Sequence, residues 1–157
     1  MIFDVDGVFT NCQILVEDDG SLLRTMNVRD GQALKLAKKA GYNLAVITKG
    51  ASPGVKIRLM SLGIDHYYDM LETKLEAFHD FVNKVNVPKE EMLYVGDDIP
   101  DLDVFPYVNI KCCPKDACND VLNAADYISP KGGGQGCVRD IIERVMRIQD
   151  KWPVPNH

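Results

Sequence analysis

The sequence predicts an α/β fold, a doubly wound parallel sheet with a β-hairpin inserted after its first strand. Short apolar runs alternate along the chain with longer runs whose apolar residues recur at helical spacing, the signature of βαβ units. The strongest of these runs, residues 44–47, is apolar throughout, as expected of a strand covered on both faces. Behind the first strand, an Asp-Gly turn signal at Asp19 and Gly20 separates two further strand-like runs.

Taken in order, residues 2–5 form the first strand, and residues 13–16 and 22–28 form the hairpin around the turn at 17–21. Asp30 is placed to cap a helix whose apolar positions Ala33, Leu34, Leu36, Ala37 and Ala40 share one face until Gly41 stops it. The buried strand 44–47 delivers Thr48 to its C-terminal end. A helix over 53–62 follows, closed by Gly63, and residues 66–68 are a short strand. Residues 72–85 read as an amphipathic helix with Leu75, Phe78, Val82 and Val85 on one face and Pro88 beyond its end. The strand 92–95 runs into Gly96, Asp97 and Asp98. Residues 107–112 and 127–128 are weaker strands flanking a short helix at 117–124. After the glycine-rich stretch 132–136, a last helix spans 138–149 with Val138, Ile141, Ile142, Val145 and Ile148 in its core stripe. The tail from about 151 to 157 is too rich in proline to be helical and is expected to be flexible. No linker or repeat divides the chain, so residues 1–157 read as a single domain.

Composition narrows the function. Eighteen Lys and Arg against 23 Asp and Glu leave a net charge of −5, and 46% of residues are hydrophobic. That suits a globular protein with a real core. The acidic balance argues against a nucleic-acid partner, while a local cationic pocket can still take a small phosphorylated ligand. No apolar run approaches the ~20 residues needed to span a bilayer. Asp4 and Asp6 stand where a signal peptide is basic and then apolar, so a cytoplasmic location is expected, with no membrane partner. The five cysteines, Cys12, Cys112, Cys113, Cys118 and Cys137, lack the paired spacing of a zinc site and are expected as reduced, mostly buried thiols. His66, His79 and His157 are scattered and read as surface or packing residues.

Ligands of open α/β sheets bind beyond the carboxyl ends of the strands. Three predicted strands end there in Asp4 with Asp6, in Thr48, and in Asp97 with Asp98 and Asp101. Each aspartate alone is an ordinary turn or cap residue. Brought together, the carboxylates repel one another unless a cation holds them, and oxygen-only ligands favour Mg²⁺ over zinc.

In order and spacing, Asp4-Val5-Asp6-Gly7-Val8-Phe9-Thr10, Thr48, Lys74 and Gly96-Asp97-Asp98-Ile99-Pro100-Asp101 resemble the four motifs of the haloacid dehalogenase superfamily of phosphotransferases. The stretches 27–31 and 132–139 resemble its capless subclass, which includes phosphatases of ulosonic acid phosphates. The resemblance covers nearly the whole chain. It implies a Rossmann-like sheet without a cap domain and Mg²⁺-dependent hydrolysis of a sugar phosphomonoester through an aspartyl phosphate. On that reading Asp4 is the nucleophile and Asp6 the general acid and base. Mg²⁺ is held by the Asp4 and Asp97 side chains and the Asp6 carbonyl, with Asp98 and Asp101 positioning those ligands. Thr48 and Lys74 bind the transferring phosphoryl oxygens. The implied substrate is most nearly 3-deoxy-D-manno-octulosonate 8-phosphate, a precursor of the lipopolysaccharide core, with a nine-carbon ulosonic acid 9-phosphate as its rival.

Departures from the family pattern sharpen the expectation. Relatives carry an arginine shortly after the motif-two threonine, where this chain reads Thr48-Lys49-Gly50-Ala51-Ser52-Pro53. Recognition of the sugar carboxylate is therefore expected at Lys49, Lys56, Arg58 or a neighbouring chain, with Arg139 behind the glycine run as a further candidate. The apolar lead before Asp4 is shorter than relatives carry. Only the hairpin separates the first strand from the next helix, which leaves no room for a cap. An open site closed by a neighbouring subunit is expected, in a homotetramer assembled through the hairpin. Two other readings compete. A catalytically silent oligomerisation module has no need to keep Asp4, Asp6, Thr48, Lys74 and Asp97 together. A receiver domain places its phosphorylated Asp after a middle strand and leaves Asp6 without a task.

Overall fold

The computed structural model describes residues 1–154. Its main sheet holds six parallel strands: β1 (Ile2–Phe3), β4 (Ala45–Ile47), β5 (His66–Tyr68), β6 (Leu93–Val95), β7 (Ile110–Pro114) and β8 (Tyr127–Ser129). They lie in the order β5-β4-β1-β6-β7-β8. Counted within the sheet alone this is the Rossmann order 3-2-1-4-5-6, with the switch point at β1. Register is continuous across it, with Phe3 beside Val46 on one side and Val95 on the other. The doubly wound sheet expected from the sequence is therefore present. β2 (Leu15–Val16) and β3 (Leu22–Leu23) pair antiparallel as the inserted hairpin, and no cap domain stands between β1 and the first helix.

The helices are α1 (Val28–Lys39), α2 (Pro53–Ser61), α3 (Lys74–Val85), α4 (Asn119–Ala124) and α5 (Cys137–Ile148). Strand alternation sorts the core into two layers. Phe3, Val46, Leu93, Val95 and Cys112 face Leu34, Leu59, Ile141 and Ile142 from α1, α2 and α5. Ile2, Ala45, Ile47, Tyr94 and Cys113 face Phe78 and Phe81 of α3 and Val121 of α4. Among the described residues no helix is long and apolar enough to cross a membrane.

Several local expectations are corrected. β1 stops at Phe3 because Val5 already closes a tight turn, its carbonyl accepting from the Val8 and Phe9 amides at 3.1 and 2.9 Å. The α3 face includes Ala77 and Phe81, while on α5 Met146 is buried and Ile148 is exposed. Residues 105–107 form a 3-10 turn around Pro106, so β7 starts later than the apolar run suggests. Trp152 is buried beneath the guanidinium groups of Arg139 and Arg147, 4.7 and 5.7 Å from its ring centroid, so the tail is anchored at that point. Residues 155–157, and with them His157, lie outside the described residues.

Asp30 is not the cap of α1. Asn27 fills that position, its side chain accepting from the Arg29 amide at 2.8 Å. Asp30 instead reaches across to α5 and accepts from the Arg139 amide at 2.7 Å. α5 needs this help because its own N-cap is Gly136, in a left-handed conformation and without a side chain. Burial pushes the Asp30 carboxyl up to about 6 despite the Arg139 amide and charge, and its Oδ2 has no partner among the described residues. A carboxyl raised in the folded state contributes stability that is full below its unfolded value and is lost as pH rises through about 6. Asp30→Asn, which keeps the acceptor and removes the charge, is therefore expected to melt higher than the parent at pH 7.5 and to lose that advantage at pH 4. Thermal melts at the two pH values check this.

Candidate active site

β1, β4 and β6 end side by side, and their C-terminal ends bring together residues far apart in sequence. The Asp4 amide donates to the Val95 carbonyl at 2.9 Å, extending the β1–β6 ladder by one step and aiming the Asp4 side chain over the sheet edge. Thr48 does the same for β4, donating to the Tyr68 carbonyl at 2.9 Å, and it is buried.

Lys74, the first residue of α3, is 2% exposed and joins these ends electrostatically. Its ammonium lies 3.0 Å from Asp4 Oδ1 and donates to Asp101 Oδ1 at 2.6 Å. Burial alone would make it easier to deprotonate, but Asp4 and Asp101 outweigh that and hold it raised and charged. Asp101 is fully engaged. Its Oδ1 also accepts from the Tyr94 hydroxyl at 2.7 Å, and its Oδ2 accepts from the Asp97 and Asp98 amides at 2.9 and 3.2 Å. It therefore holds the loop that presents Asp97. Asp98 is exposed and caps the 3-10 turn at Ile99–Asp103.

Oxygens of Asp4, Asp97 and Asp101 lie within 4.8 Å of one another. Burial and the Asp101 charge push both the Asp4 and Asp97 carboxyls up to about 7, in each case against the pull of Lys74. Asp97 Oδ1 is buried and has no partner among the described residues. An oxygen of this kind in a crowded acidic cluster is what a hard cation satisfies, and with Asp101 committed elsewhere the side chains left to hold one are Asp4 and Asp97.

Glycines permit the crowding. Gly7 has a φ of +86°, and a Cβ there would lie 1.8 Å from Asp97 Oδ2. The glycine run 132–136 is not a free loop. A Cβ on Gly133 would lie 2.0 Å from the Gly7 carbonyl oxygen, and the Gly134 amide donates to the Val8 carbonyl at 3.0 Å. Backbone packs on backbone here and clamps the turn between Asp4 and Cys12.

Besides the Tyr94 hydroxyl, two side chains at this site escaped the sequence reading. Arg24, just past the hairpin, forks onto Asp6, with Nε to Oδ1 at 2.6 Å and Nη2 to Oδ2 at 3.1 Å. Cys12, exposed and in a left-handed backbone conformation, places its thiol 3.3 Å from Asp97 Oδ2, and burial together with Asp97 pushes it up to about 12. The expectation of mostly buried cysteines holds for Cys112, Cys113 and Cys137, and all five are free.

The expected carboxylate-binding residues do not converge. Lys49 is exposed, and Lys56 pairs with Asp69 at 3.3 Å. Arg139 bonds Glu143 at 2.7 Å and stacks on Trp152, which commits it to the flank of α5. Arg58 alone lines the same groove as Arg24, a cavity of about 690 Å³ between the hairpin and α2.

A model of the haloacid dehalogenase-like hydrolase family matches residues 13–107. The 3-deoxy-D-manno-octulosonate 8-phosphate phosphatase KdsC of Escherichia coli strain K12 is 34% identical over 151 residues, 96% of this chain and 80% of that protein. The solved structure of the phosphatase of that name from Yersinia pestis superposes with a TM-score of 0.92 at 32% identity, over 96% of this chain and 81% of the other. The enzyme from Moraxella catarrhalis, in complex with magnesium, phosphate and KDO, superposes at 0.90 and 32% identity over 95% and 86%.

Proposed function

Since the chain belongs to the haloacid dehalogenase-like hydrolases and is a phosphoric monoester hydrolase, we propose that its substrate is a ulosonic acid phosphate, most nearly 3-deoxy-D-manno-octulosonate 8-phosphate. The observation that carries the catalytic reading is the junction of Asp4, Lys74, Asp97 and Asp101 at one sheet edge, with one Asp97 oxygen left for a cation. Support for the sugar comes from the names of the relatives and from the KDO and magnesium in the Moraxella complex. A nine-carbon ulosonic acid 9-phosphate remains the second reading, because the motif-two loop lacks the expected arginine and offers Lys49 and Gly50 instead.

Asp4 attacks phosphorus as a carboxylate, forming an aspartyl phosphate and splitting one hard hydrolysis into two easier steps. Lys74 and Thr48 supply fixed donors where negative charge gathers on the transferring oxygens. Asp6 gives its proton to the departing sugar oxygen and later takes one from the attacking water. Asp4, Asp97 and the Asp6 carbonyl would hold Mg²⁺, whose charge lets an anionic nucleophile approach an anionic phosphate. Asp101 and Asp98 position that loop.

The groove lined by Arg24 runs along the hairpin, whose apolar residues Leu15, Val16, Leu22 and Leu23 are exposed. We take these as the surface on which a neighbouring copy closes the site, in a homotetramer. Phosphate release from the octulosonate 8-phosphate is expected with Mg²⁺, none in EDTA, and full recovery on adding Mg²⁺ back. Release that ignores EDTA would overturn the metal assignment, and release only from the nine-carbon substrate would overturn the choice of sugar.

A further inference from the structure

We infer that Arg24 is a positioning residue for Asp6, fixing one carboxylate oxygen while freeing the other to serve the leaving group; this rests on Asp6 being the proton donor proposed above. The Arg24 side chain is 5% exposed against 36% for Asp6. All three of its nitrogens are engaged: Nε and Nη2 on Asp6, and Nη1 on the Leu22 carbonyl at 3.2 Å. The guanidinium is thus tied to the hairpin on one side and to Asp6 on the other.

The two bonds to Asp6 are unequal. With both bonds kept, each Asp6 oxygen gives one lone pair to Arg24 and keeps one, and the longer bond leaves Oδ2 the less tightly held. An Asp6 that keeps the 2.6 Å bond at Oδ1 and releases the 3.1 Å bond at Oδ2 pivots about a fixed point.

Gly50 borders the less tightly held oxygen, Oδ2. A Cβ on Gly50 would lie 3.1 Å from Asp6 Oδ2, 3.4 Å from Arg24 Nη2 and 4.0 Å from Thr48 Oγ1. The Gly50 backbone is not left-handed, so a side chain here would be tight for space and not strained in conformation. The Cβ that Gly50 lacks would crowd Oδ2 on the side of Thr48, the residue proposed above to hold the phosphoryl oxygens.

As the bond from phosphorus to the leaving oxygen breaks and the bond from phosphorus to the Asp4 oxygen forms, the proton on Oδ2 passes to the departing oxygen. Asp6 is left as a carboxylate that Arg24 recaptures with both arms. When water attacks the aspartyl phosphate, Oδ2 accepts its proton and the cycle closes.

The test uses aryl phosphates whose phenols range from 4-nitrophenol, which departs without a proton, to phenol, which needs one. These substrates are independent of which sugar the enzyme uses. For Arg24→Met, kcat/KM is expected to fall about 100-fold on phenyl phosphate and under about fivefold on 4-nitrophenyl phosphate, in line with the worth of general acid catalysis. Arg24→Lys, with one donor in place of the fork, restores part of the loss. Gly50→Ala, which changes no charge, gives a smaller loss with the same dependence on the leaving group. Should Arg24→Met fail to fold by circular dichroism, the other two variants carry the test. Equal loss across the series, or none, overturns the inference. If Asp6→Asn itself shows no leaving-group dependence, the Asp6 assignment fails first. If the parent hydrolyses aryl phosphates and no ulosonic acid phosphate, only the choice of sugar falls.

Discussion

Asp4→Asn is expected to abolish phosphate release from every phosphomonoester, by roughly 10⁴-fold or more, while the protein still folds. The loss is chemical. An amide oxygen does not displace the leaving group to give a stable aspartyl phosphate, and no other carboxylate can take over. Asp101 is bound by Lys74, Tyr94 and two amides, Asp97 sits on the neighbouring strand end, and Asp6 is held in the Arg24 fork. The fold survives for local reasons. The amide oxygen can keep the 2.7 Å bond from the Val5 amide, and Lys74 keeps Asp101 as its counterion. The substitution also removes a carboxyl that burial and Asp101 push up to about 7, a group whose charging weakens the folded state as pH rises toward that value. At pH 8 without Mg²⁺ the variant should therefore melt within a few degrees of the parent. Phosphate release and melting temperature measured on one preparation check both halves, and residual turnover above about one hundredth of the parent sinks the nucleophile assignment.

Much of this site was legible in the sequence because its carboxylates sit at strand ends, where a run of apolar residues stops and a polar one must face the crevice. Asp4, Thr48 and Asp97 all carry that signal, and Gly7 and Gly96 beside them mark where side chains approach too closely for a Cβ. What stayed hidden depends on partners that local pattern does not name. Arg24 reads as an ordinary ribbon residue, since its partner Asp6 is 18 positions earlier and the hairpin has to fold back to bring them together. Asp30 and Asn27 are both good cap residues. The choice between them depends on α5, whose Arg139 amide lies 109 positions away and lacks a local cap. The glycine run suggests mobility from composition alone. Only the approach of Gly133 to the Gly7 carbonyl turns it into a clamp. Tyr94 counts as a buried strand residue in any pattern, and its hydroxyl matters only because Asp101 folds back over it.

The largest stability effect is expected at Lys74. It is a single buried cation between two carboxylates, 3.0 Å from Asp4 and 2.6 Å from Asp101, at a point where a third carboxylate, Asp97, also converges. Lys74→Met preserves most of the side-chain volume, so packing around it should be little disturbed. What it removes is the charge that makes the cluster tolerable. Breaking a buried pair by deleting one partner costs about 3–5 kcal/mol, because the surviving charge is left buried without compensation. Here two carboxylates survive it. Three observations then move together. Without Mg²⁺ at pH 8, Lys74→Met unfolds at clearly lower denaturant than the parent. Lowering the pH narrows the gap, because without Lys74 the Asp4 carboxyl rises further still and protonation relieves the cluster. Adding Mg²⁺ narrows it as well, since a cation on Asp4 and Asp97 supplies charge where the ammonium stood, and ligand that binds only the folded state stabilises it by mass action. Activity stays lost under all three conditions, because a cation on Asp97 does not place a donor at the phosphoryl oxygen that Lys74 serves. Denaturant melts at two pH values, each with Mg²⁺ and with EDTA, separate these terms. A variant as stable as the parent at pH 8 in EDTA would mean that Lys74 is not what holds Asp4 and Asp101 together.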